Sequence, residues 1–232
     1  MNTERLSNRL AAVAAFVEKG AVVADIGSDH AYLPCFLIHT GQVQRAVAGE
    51  VAKGPYDSAV RNVRREGLAE AVTVRLANGL LAIEESDAVD TVTIAGMGGP
   101  LIATILENGK QRLTHVERII TQPNIHAKAI REWAVHNGWK IADEQILQED
   151  GKIYEIIVLE KGQAMYDEVE LLVGPLLGTE KSAVFLEKWT RELSEWHRVL
   201  DSLEKAAKTD AIDMKTKQLK EQINLVGKVL AI

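Results

Sequence analysis

Apolar and polar positions follow two periods along the first 160 residues, and their alternation predicts a parallel β-sheet. Short, β-branched apolar runs predict strands at 21–25, 45–50, 72–77, 90–95 and 116–121. Helical spacing of apolar residues lies before the first strand and then between the strands, at 3–19, 31–40, 55–66, 99–108 and 125–137. Strands and helices in alternation are typical of βαβ units with right-handed crossovers.

The pattern changes after Gly138. Two extended runs, 139–148 and 153–160, flank Glu149-Asp150-Gly151-Lys152, and Asp-Gly is a strong signal for a β-hairpin. The parallel sheet is therefore expected to end in an antiparallel pair, which departs from a dehydrogenase domain. We predict an α/β, Rossmann-like class I methyltransferase fold, with a seven-stranded, mostly parallel sheet.

From about residue 166 the pattern indicates long helices. Over 181–205, apolar residues recur at steps of three and four: Phe185, Trp189, Leu193, Trp196, Leu200 and Leu203. A matching stripe over 211–231, interrupted by Lys215, consists of Ile212, Leu219, Ile223, Val226 and Leu230. With a short link near 206–210, these stripes predict a coiled-coil-like antiparallel helical hairpin as a domain of residues 163–232. A solvated appendage and a prop against an elongated partner both fit this pattern.

Composition narrows the function classes. The net charge is −6, so no global basic field indicates a nucleic-acid partner, although a local patch would suffice. The one cysteine, Cys35, excludes an intrachain disulfide and a Cys-rich zinc site, and its apolar neighbours predict a buried position. Without a signal peptide or an apolar run of 18 residues, a cytoplasmic protein with no membrane contact is expected.

The chemistry is concentrated in 22–34, a strand, a glycine turn and a helix start whose backbone N–H groups can face a ligand. Asp25 ends the strand, and Asp29 stands where a dinucleotide fingerprint has its second glycine. Two carboxylates would repel a pyrophosphate but suit S-adenosylmethionine, which has a sulfonium, an ammonium and ribose hydroxyls. Alternatively, Asp25 caps the loop and Gly27 is an ordinary turn glycine.

Other strand ends should meet this loop, because ligands bind beyond the carboxyl ends of parallel strands. Glu50, 25 residues after Asp25, can accept hydrogen bonds from ribose hydroxyls, or it is a surface side chain. Asn78 can reach an adenine amino edge, and Gly79 lets the backbone come close. The fourth and fifth strands end in Ala95-Gly96-Met97-Gly98-Gly99-Pro100 and in Gln122-Pro123-Asn124.

Five stretches resemble the bacterial TrmK-type tRNA adenine-22 N1-methyltransferases: 25–34, 48–50, 94–99, 122–127 and 150–155. The resemblance spans about 1–232. It implies an S-adenosylmethionine-binding catalytic domain over 1–162, methyl transfer to N1 of an adenine in tRNA, and no metal. It also implies that Asp29 lies near the methyl group and that the cofactor is held by Asp25, Gly27, Glu50, Asn78 and Gly79. Asn78 departs from the Asp that is frequent at this position in the family.

We therefore predict two sets of binding residues. The full cofactor set is Asp25, Gly27, Ser28, His30, Glu50, Val51, Asn78, Gly79, Ala95, Gly96 and Met97. The tRNA set is Arg5, Arg9, Tyr32, Lys53, Gly98, Gln122, Pro123, Asn124, His126 and Tyr154, with further phosphate contacts from Arg61, Arg64 and Arg65. Arg5 and Arg9 are expected on the polar side of the first helix. The protein is expected to be a monomer or weak dimer.

The N1 atom of adenine carries a lone pair, so methylation needs no covalent nucleophile. Asp29 is expected to stabilise the base as it becomes cationic, or to bond its exocyclic amine. A helix N-cap is the alternative role for Asp29. Two other function classes stay open: a methyltransferase for a small molecule or protein, which the acidic pI of 5.6 favours, and a non-catalytic nucleotide-binding module.

Overall fold

The fold is given by a computed structural model, which describes Thr3, residues 5–205 and residues 209–230. The chain divides into two compact units, with the boundary between Met165 and Tyr166. The described part of the first unit contains one seven-stranded sheet. In chain order its strands are β1 (Val22–Ile26), β2 (Arg45–Glu50), β3 (Val72–Leu76), β4 (Thr91–Met97), β5 (Arg118–Pro123), β6 (Trp139–Glu149) and β7 (Lys152–Lys161).

The strand order is β3-β2-β1-β4-β5-β7-β6, with β1 to β5 parallel and β7 antiparallel to both β5 and β6. The predicted fold class is confirmed. In the register of the sheet, Asp25 of β1 lies between Ala48 of β2 and Thr93 of β4. The chain direction across the sheet reverses between β1 and β4, which places a crevice beyond the ends of these two strands.

Helices cover the sheet, namely α1 (Asn8–Ala15), α2 (Tyr32–His39), α3 (Lys53–Arg65), α4 (Gly99–Asn108) and α5 (Lys128–His136). The predicted first helix, 3–19, was too long. The Ser7 side chain accepts the Leu10 N–H as the N-cap, and Phe16 is already the C-cap, four residues before Gly20. Val17 is buried although it lies outside the helix. Its apolar side chain therefore reflects burial in the core and does not indicate a longer helix.

The main core lies where α1, α2 and α3 meet the sheet. Val23, Leu33, Leu37 and Val158 are among its buried members. Cys35 is fully buried there, as its apolar neighbours predicted. Burial raises the pKa of the Cys35 thiol to about 11, with a smaller contribution from the Glu66 carboxylate, so the side chain stays a protonated core residue.

The second unit is helical: α6 (Glu168–Val173), α7 (Pro175–Glu180), α8 (Ala183–Lys205) and α9 (Asp210–Leu230). The short α6 and α7 were not predicted, because six residues carry too little periodicity. α8 and α9 pack together along the predicted stripes, where the buried side chains are Phe185, Trp189, Leu219 and Val226. Of the predicted link near 206–210, residues 206–208 lie outside the described residues. No helix in the described ranges has the length and apolar character needed to cross a membrane.

Candidate active site

Asp25 braces the loop that follows β1. Its carboxylate is buried and accepts hydrogen bonds from Ser28 Oγ at 2.5 Å and from Thr93 Oγ1 at 2.7 Å. Burial raises the pKa of Asp25, against the lowering effect of the two hydroxyl donors. The structure thus gives Asp25 the loop-capping role, and a contact between Asp25 and the cofactor stays a prediction. Thr93 was missed, because the sequence analysis did not predict that β1 and β4 are neighbours, and their register places Thr93 next to Asp25.

The glycine turn is tied to β2. Gly27 has a left-handed φ of +72°, and a Cβ at this position would collide with Met97 Cε, which lies across the turn. The N–H groups of Gly27 and Ser28 both donate to the Gly49 carbonyl oxygen, at 2.9 and 3.3 Å. These two N–H groups are therefore used within the fold, and the expectation that backbone N–H groups of 22–34 face a ligand stays a prediction for the rest of the loop. Because these two are already bonded, the turn offers little to a pyrophosphate.

Glu50 is buried at the end of β2, so the surface alternative is wrong. Its Oε1 atom accepts the backbone N–H of Asp29. Burial raises the pKa of Glu50, and the nearby carboxylates of Asp29 and Asp25 act in the same direction. A carboxylate has about four acceptor positions. Glu50 therefore keeps acceptor capacity for the hydroxyls of a ligand.

Asp29 has the opposite environment. Its side chain is 68% exposed, and Oδ1 lies 3.5 Å from His30 Nε2. The N-cap of α2 is Ala31, which makes no side-chain cap bond, so the N-cap alternative for Asp29 is wrong. The His30 ring stacks on Tyr32, with ring centroids 5.2 Å apart. The first loop thus presents a carboxylate, an imidazole and a phenol side by side.

The loops after β4 and β5 are joined into one rim. Asn124 donates its backbone N–H to the Met97 carbonyl and its side-chain amide to the Gly96 carbonyl, both at 2.7 Å. Gly99 donates to the Ile125 carbonyl at 2.8 Å. A Cβ on Gly99 would collide with the His126 carbonyl oxygen. Glycine at position 99 is therefore required for the two loops to meet.

Gln122 lies beneath this rim and is fully buried. Its Oε1 atom accepts hydrogen bonds from the Gly96 N–H at 3.1 Å and from Arg9 Nη1, while Nε2 donates to the Pro123 carbonyl at 2.9 Å. The prediction of a direct contact between Gln122 and the substrate is therefore wrong, because a buried amide has no surface to offer. Gln122 supports the rim instead.

Arg9 also lies elsewhere than predicted. Its guanidinium bonds Gln122, and its Cζ atom lies 5.4 Å from the centroid of the Tyr154 ring. Glu149 holds the start of α1 in place, since its carboxylate accepts the N–H groups of Asn8 at 2.6 Å and of Arg9 at 3.4 Å. The hairpin of β6 and β7 therefore fixes Arg9 at the crevice. Arg9 lies three residues after Leu6 and four before Val13, and this spacing could have indicated that Arg9 shares their inward face of the predicted helix.

The remaining predicted site residues lie on separate elements and are mostly exposed. Asn78 is exposed before a short 3₁₀ turn, and Val51 is exposed beyond Glu50. Lys53 pairs with Asp57 on α3, and Arg5 lies exposed ahead of α1. The described residues contain no group of three or more His, Cys, Asp or Glu side chains that could hold a metal ion. The crevice thus combines acidic acceptors with glycine-lined backbone, which suits a ligand with hydroxyls and a positive centre.

Comparisons with known proteins agree with this chemistry. A family model described as TrmK, tRNA (adenine(22)-N(1))-methyltransferase, matches residues 23–228. A Bacillus subtilis tRNA (adenine(22)-N(1))-methyltransferase is 48% identical over 236 residues, 99% of each chain. Streptococcus pneumoniae Sp1610, solved in complex with S-adenosyl-L-methionine, is 46% identical, with a TM-score of 0.89 over 97% of this chain and 100% of that one. M. capricolum TrmK, solved with S-adenosyl-homocysteine, is 27% identical, with a TM-score of 0.81 over 97% of this chain and 98% of that one.

Proposed function

The chain belongs to the tRNA (adenine(22)-N(1))-methyltransferase family, and from this premise we propose how its residues carry out the reaction. The protein is an S-adenosylmethionine-dependent enzyme that methylates N1 of adenine 22 in tRNA. The observation that carries this conclusion is the 48% identity along the whole chain. The resemblance seen in the sequence is thereby confirmed. The alternatives of a small-molecule or protein substrate and of a non-catalytic module are not supported.

The residues of the crevice fit the cofactor. Glu50 keeps acceptor positions for the two ribose hydroxyls, and the left-handed Gly27 leaves the end of β1 without a side chain. We assign Asn78 and Gly79 to the adenine, and Asp25 to the support of the loop. The other members of the predicted cofactor set are proposed to line the same crevice. When bound, S-adenosylmethionine supplies an electrophilic methyl group on a sulfonium ion.

Asp29 is the proposed catalytic residue. Its carboxylate is exposed at the first loop, while its backbone N–H is fixed by Glu50. The adenine becomes cationic as its N1 lone pair takes the methyl group. A carboxylate held beside it stabilises this charge, or it accepts a hydrogen bond from the exocyclic amine and orients the ring. No proton has to leave N1, so Asp29 need not act as a base.

The tRNA is proposed to approach over the rim formed by the loops after β4 and β5. Tyr32, Pro123, His126 and Tyr154 are proposed to contact the base, and Arg5 and Lys53 to contact phosphates. Catalysis is assigned to residues 1–162, since every residue of the crevice lies in this range. The enzyme is proposed to be cytoplasmic, where its substrate tRNA is made, to be a monomer or weak dimer, and to need no metal, because attack of the N1 lone pair on a sulfonium requires no Lewis acid.

The test is a methylation assay with unmodified tRNA and S-adenosylmethionine, followed by mapping of the product by mass spectrometry. We expect one new methyl group, on N1 of adenine 22. A tRNA with guanine in place of that adenine is the matched control and should stay unmethylated. Methylation at another position, or of total protein in place of tRNA, would contradict the proposal.

A further inference from the structure

Ile125 is a large apolar side chain at the edge of the crevice, between β5 and α5. It is 61% exposed. Single exposed apolar residues are common and need no explanation by themselves. Ile125 differs because hydrogen bonds fix the loop that carries it, at the rim over which the tRNA is proposed to approach.

The chain around Ile125 is fixed on both sides. The residue before it, Asn124, bonds the carbonyls of Met97 and Gly96, and the Ile125 carbonyl accepts the Gly99 N–H at 2.8 Å. Its Cγ1 atom lies against Gly98, 3.9 Å from the place where a Cβ would stand. The β-branched side chain has few rotamers of its own. Ile125 is therefore presented in a defined position, at little further entropic cost.

The reaction creates a need for such a side chain. A base that is methylated on its ring must leave the stacked RNA to reach a crevice of this kind. Its departure leaves a gap between the neighbouring bases, and unstacking costs a few kcal/mol per step. Some nucleic-acid-binding proteins insert apolar side chains between base steps. In a gap left by a departed base, such a side chain would replace part of the lost stacking contact.

We propose that Ile125 is an RNA wedge, which enters the base stack beside adenine 22 and fills the gap that this base leaves. The inference rests on the proposed function. It assigns the Ile125 side chain of this rim to the bases that flank the target, whereas Asp29 meets the target itself. Ile125 is thus a positioning residue that acts through the RNA.

The test compares Ile125→Ala with Ile125→Leu, which keeps the apolar volume, and with Met165→Ala as the control. Met165 is 95% exposed and follows β7 in the chain. The end of β7 pairs with the start of β5, so it lies at the end of the sheet opposite the crevice. Three quantities are measured: kcat/KM on tRNA, the affinity for S-adenosylmethionine, and the fluorescence of a tRNA with 2-aminopurine next to position 22, which rises when the stack opens.

We expect Ile125→Ala to lower kcat/KM about tenfold and to weaken the fluorescence rise, with cofactor affinity unchanged. Ile125→Leu should retain most of both signals, and Met165→Ala should match the wild type. On a tRNA with an abasic site opposite adenine 22, where the base is already loosened, the loss should shrink. An undiminished kcat/KM, or an equal loss on the loosened tRNA, would overturn the wedge. Failure of the wild-type enzyme to methylate adenine 22 would instead overturn the proposed function.

Discussion

Asp29 and Glu50 are linked by one hydrogen bond but have opposite environments. Glu50 is buried and accepts the backbone N–H of Asp29, whereas the Asp29 side chain is exposed. A buried carboxylate gains most from hydroxyl donors, because their bonds are stronger away from water. An exposed one can meet a base that arrives from solution. The two residues therefore suit different partners, the ribose of the cofactor and the adenine of the tRNA.

Asp29→Ala should lower kcat about 100-fold, because a group that stabilises charge only in the transition state affects turnover. The Kd for S-adenosylmethionine should change less than about threefold, since the backbone bond to Glu50 remains. Steady-state kinetics and calorimetry measure the two effects. Asp29→Asn is the matched control, since it keeps an acceptor for the exocyclic amine but loses the charge. Equal losses of kcat and cofactor affinity would contradict the role.

Glu50→Gln should raise the stability of the ligand-free protein at pH 7 and lower cofactor affinity at least about tenfold. Burial holds the pKa of Glu50 above its ordinary value of 4.5, so the folded state disfavours the charged form. The contribution of Glu50 to stability is therefore complete in acid and is lost as the pH rises through the raised pKa.

Urea unfolding of both proteins between pH 4 and 7 tests this prediction. The advantage of Glu50→Gln should disappear towards acid, where the wild-type carboxyl is also neutral. Asp25 has a raised pKa as well, but it is present in both proteins. A variant that is less stable than the wild type at pH 7 would show that the carboxylate is well stabilised without a ligand.

At the scale of elements, the active site depends on contacts between loops more than on any single loop. The β1 loop hangs on β2 through the Gly49 carbonyl, and the loops after β4 and β5 share three hydrogen bonds. α1 is bonded at its start by Glu149 of the β6–β7 hairpin. Each contact joins elements that are far apart in sequence, so a substitution in one element is expected to displace another.

Gly99→Ala tests this dependence. The new Cβ would collide with the backbone of His126, so the loop after β5 must move, at a cost of about 1–3 kcal/mol in the free energy of unfolding. Activity on tRNA should fall further than cofactor affinity, because the rim is proposed to contact the tRNA. Gly54→Ala is the matched control: nothing lies within 4 Å of its Cβ, and alanine favours the helix, which should raise stability by up to about 1 kcal/mol. A fully stable Gly99→Ala enzyme would mean that the two loops separate easily.

At the scale of the whole molecule, the sequence was sufficient for the sheet and the long helices. Their periods extend over many residues, and the predicted strands match the observed ones within two residues at each end. The environment of the site residues was harder to predict, because the burial of a polar side chain depends on contacts that no local sequence pattern encodes. The hydrogen bonds that Gln122 and Asp25 make within the fold could not be foreseen, because their partners, Arg9 and Thr93, lie 113 and 68 residues away.

The negative net charge makes the tRNA contact a matter of local patches. Arg5 and Lys53 lie exposed at the surface, whereas Arg9 is part-buried where it bonds Gln122, so the first two are the more accessible to phosphates. Arg5→Ala combined with Lys53→Ala should weaken tRNA binding and reduce the slope of log K against log salt by about 0.7–0.9 for each lost contact.

The measurement is a titration of tRNA binding at several salt concentrations. Lys19→Ala, in the segment that precedes the start of β1 and so on the opposite edge of the sheet, is the control and should leave the slope unchanged. Cofactor affinity should be the same in all variants. An unaltered slope in the double variant would place the phosphate contacts elsewhere on the molecule.

The hydrogen bond from the Asp29 N–H to Glu50 connects the residue proposed to bind the cofactor with the residue proposed to meet the target base. If the ribose hydroxyls of S-adenosylmethionine donate hydrogen bonds to the Glu50 carboxylate, they share this acceptor with the backbone N–H of Asp29. Binding of the donor would therefore act on the same carboxylate that fixes the segment proposed to face the nucleic acid. We therefore expect the affinity for tRNA to differ between the enzyme loaded with donor and the enzyme without it.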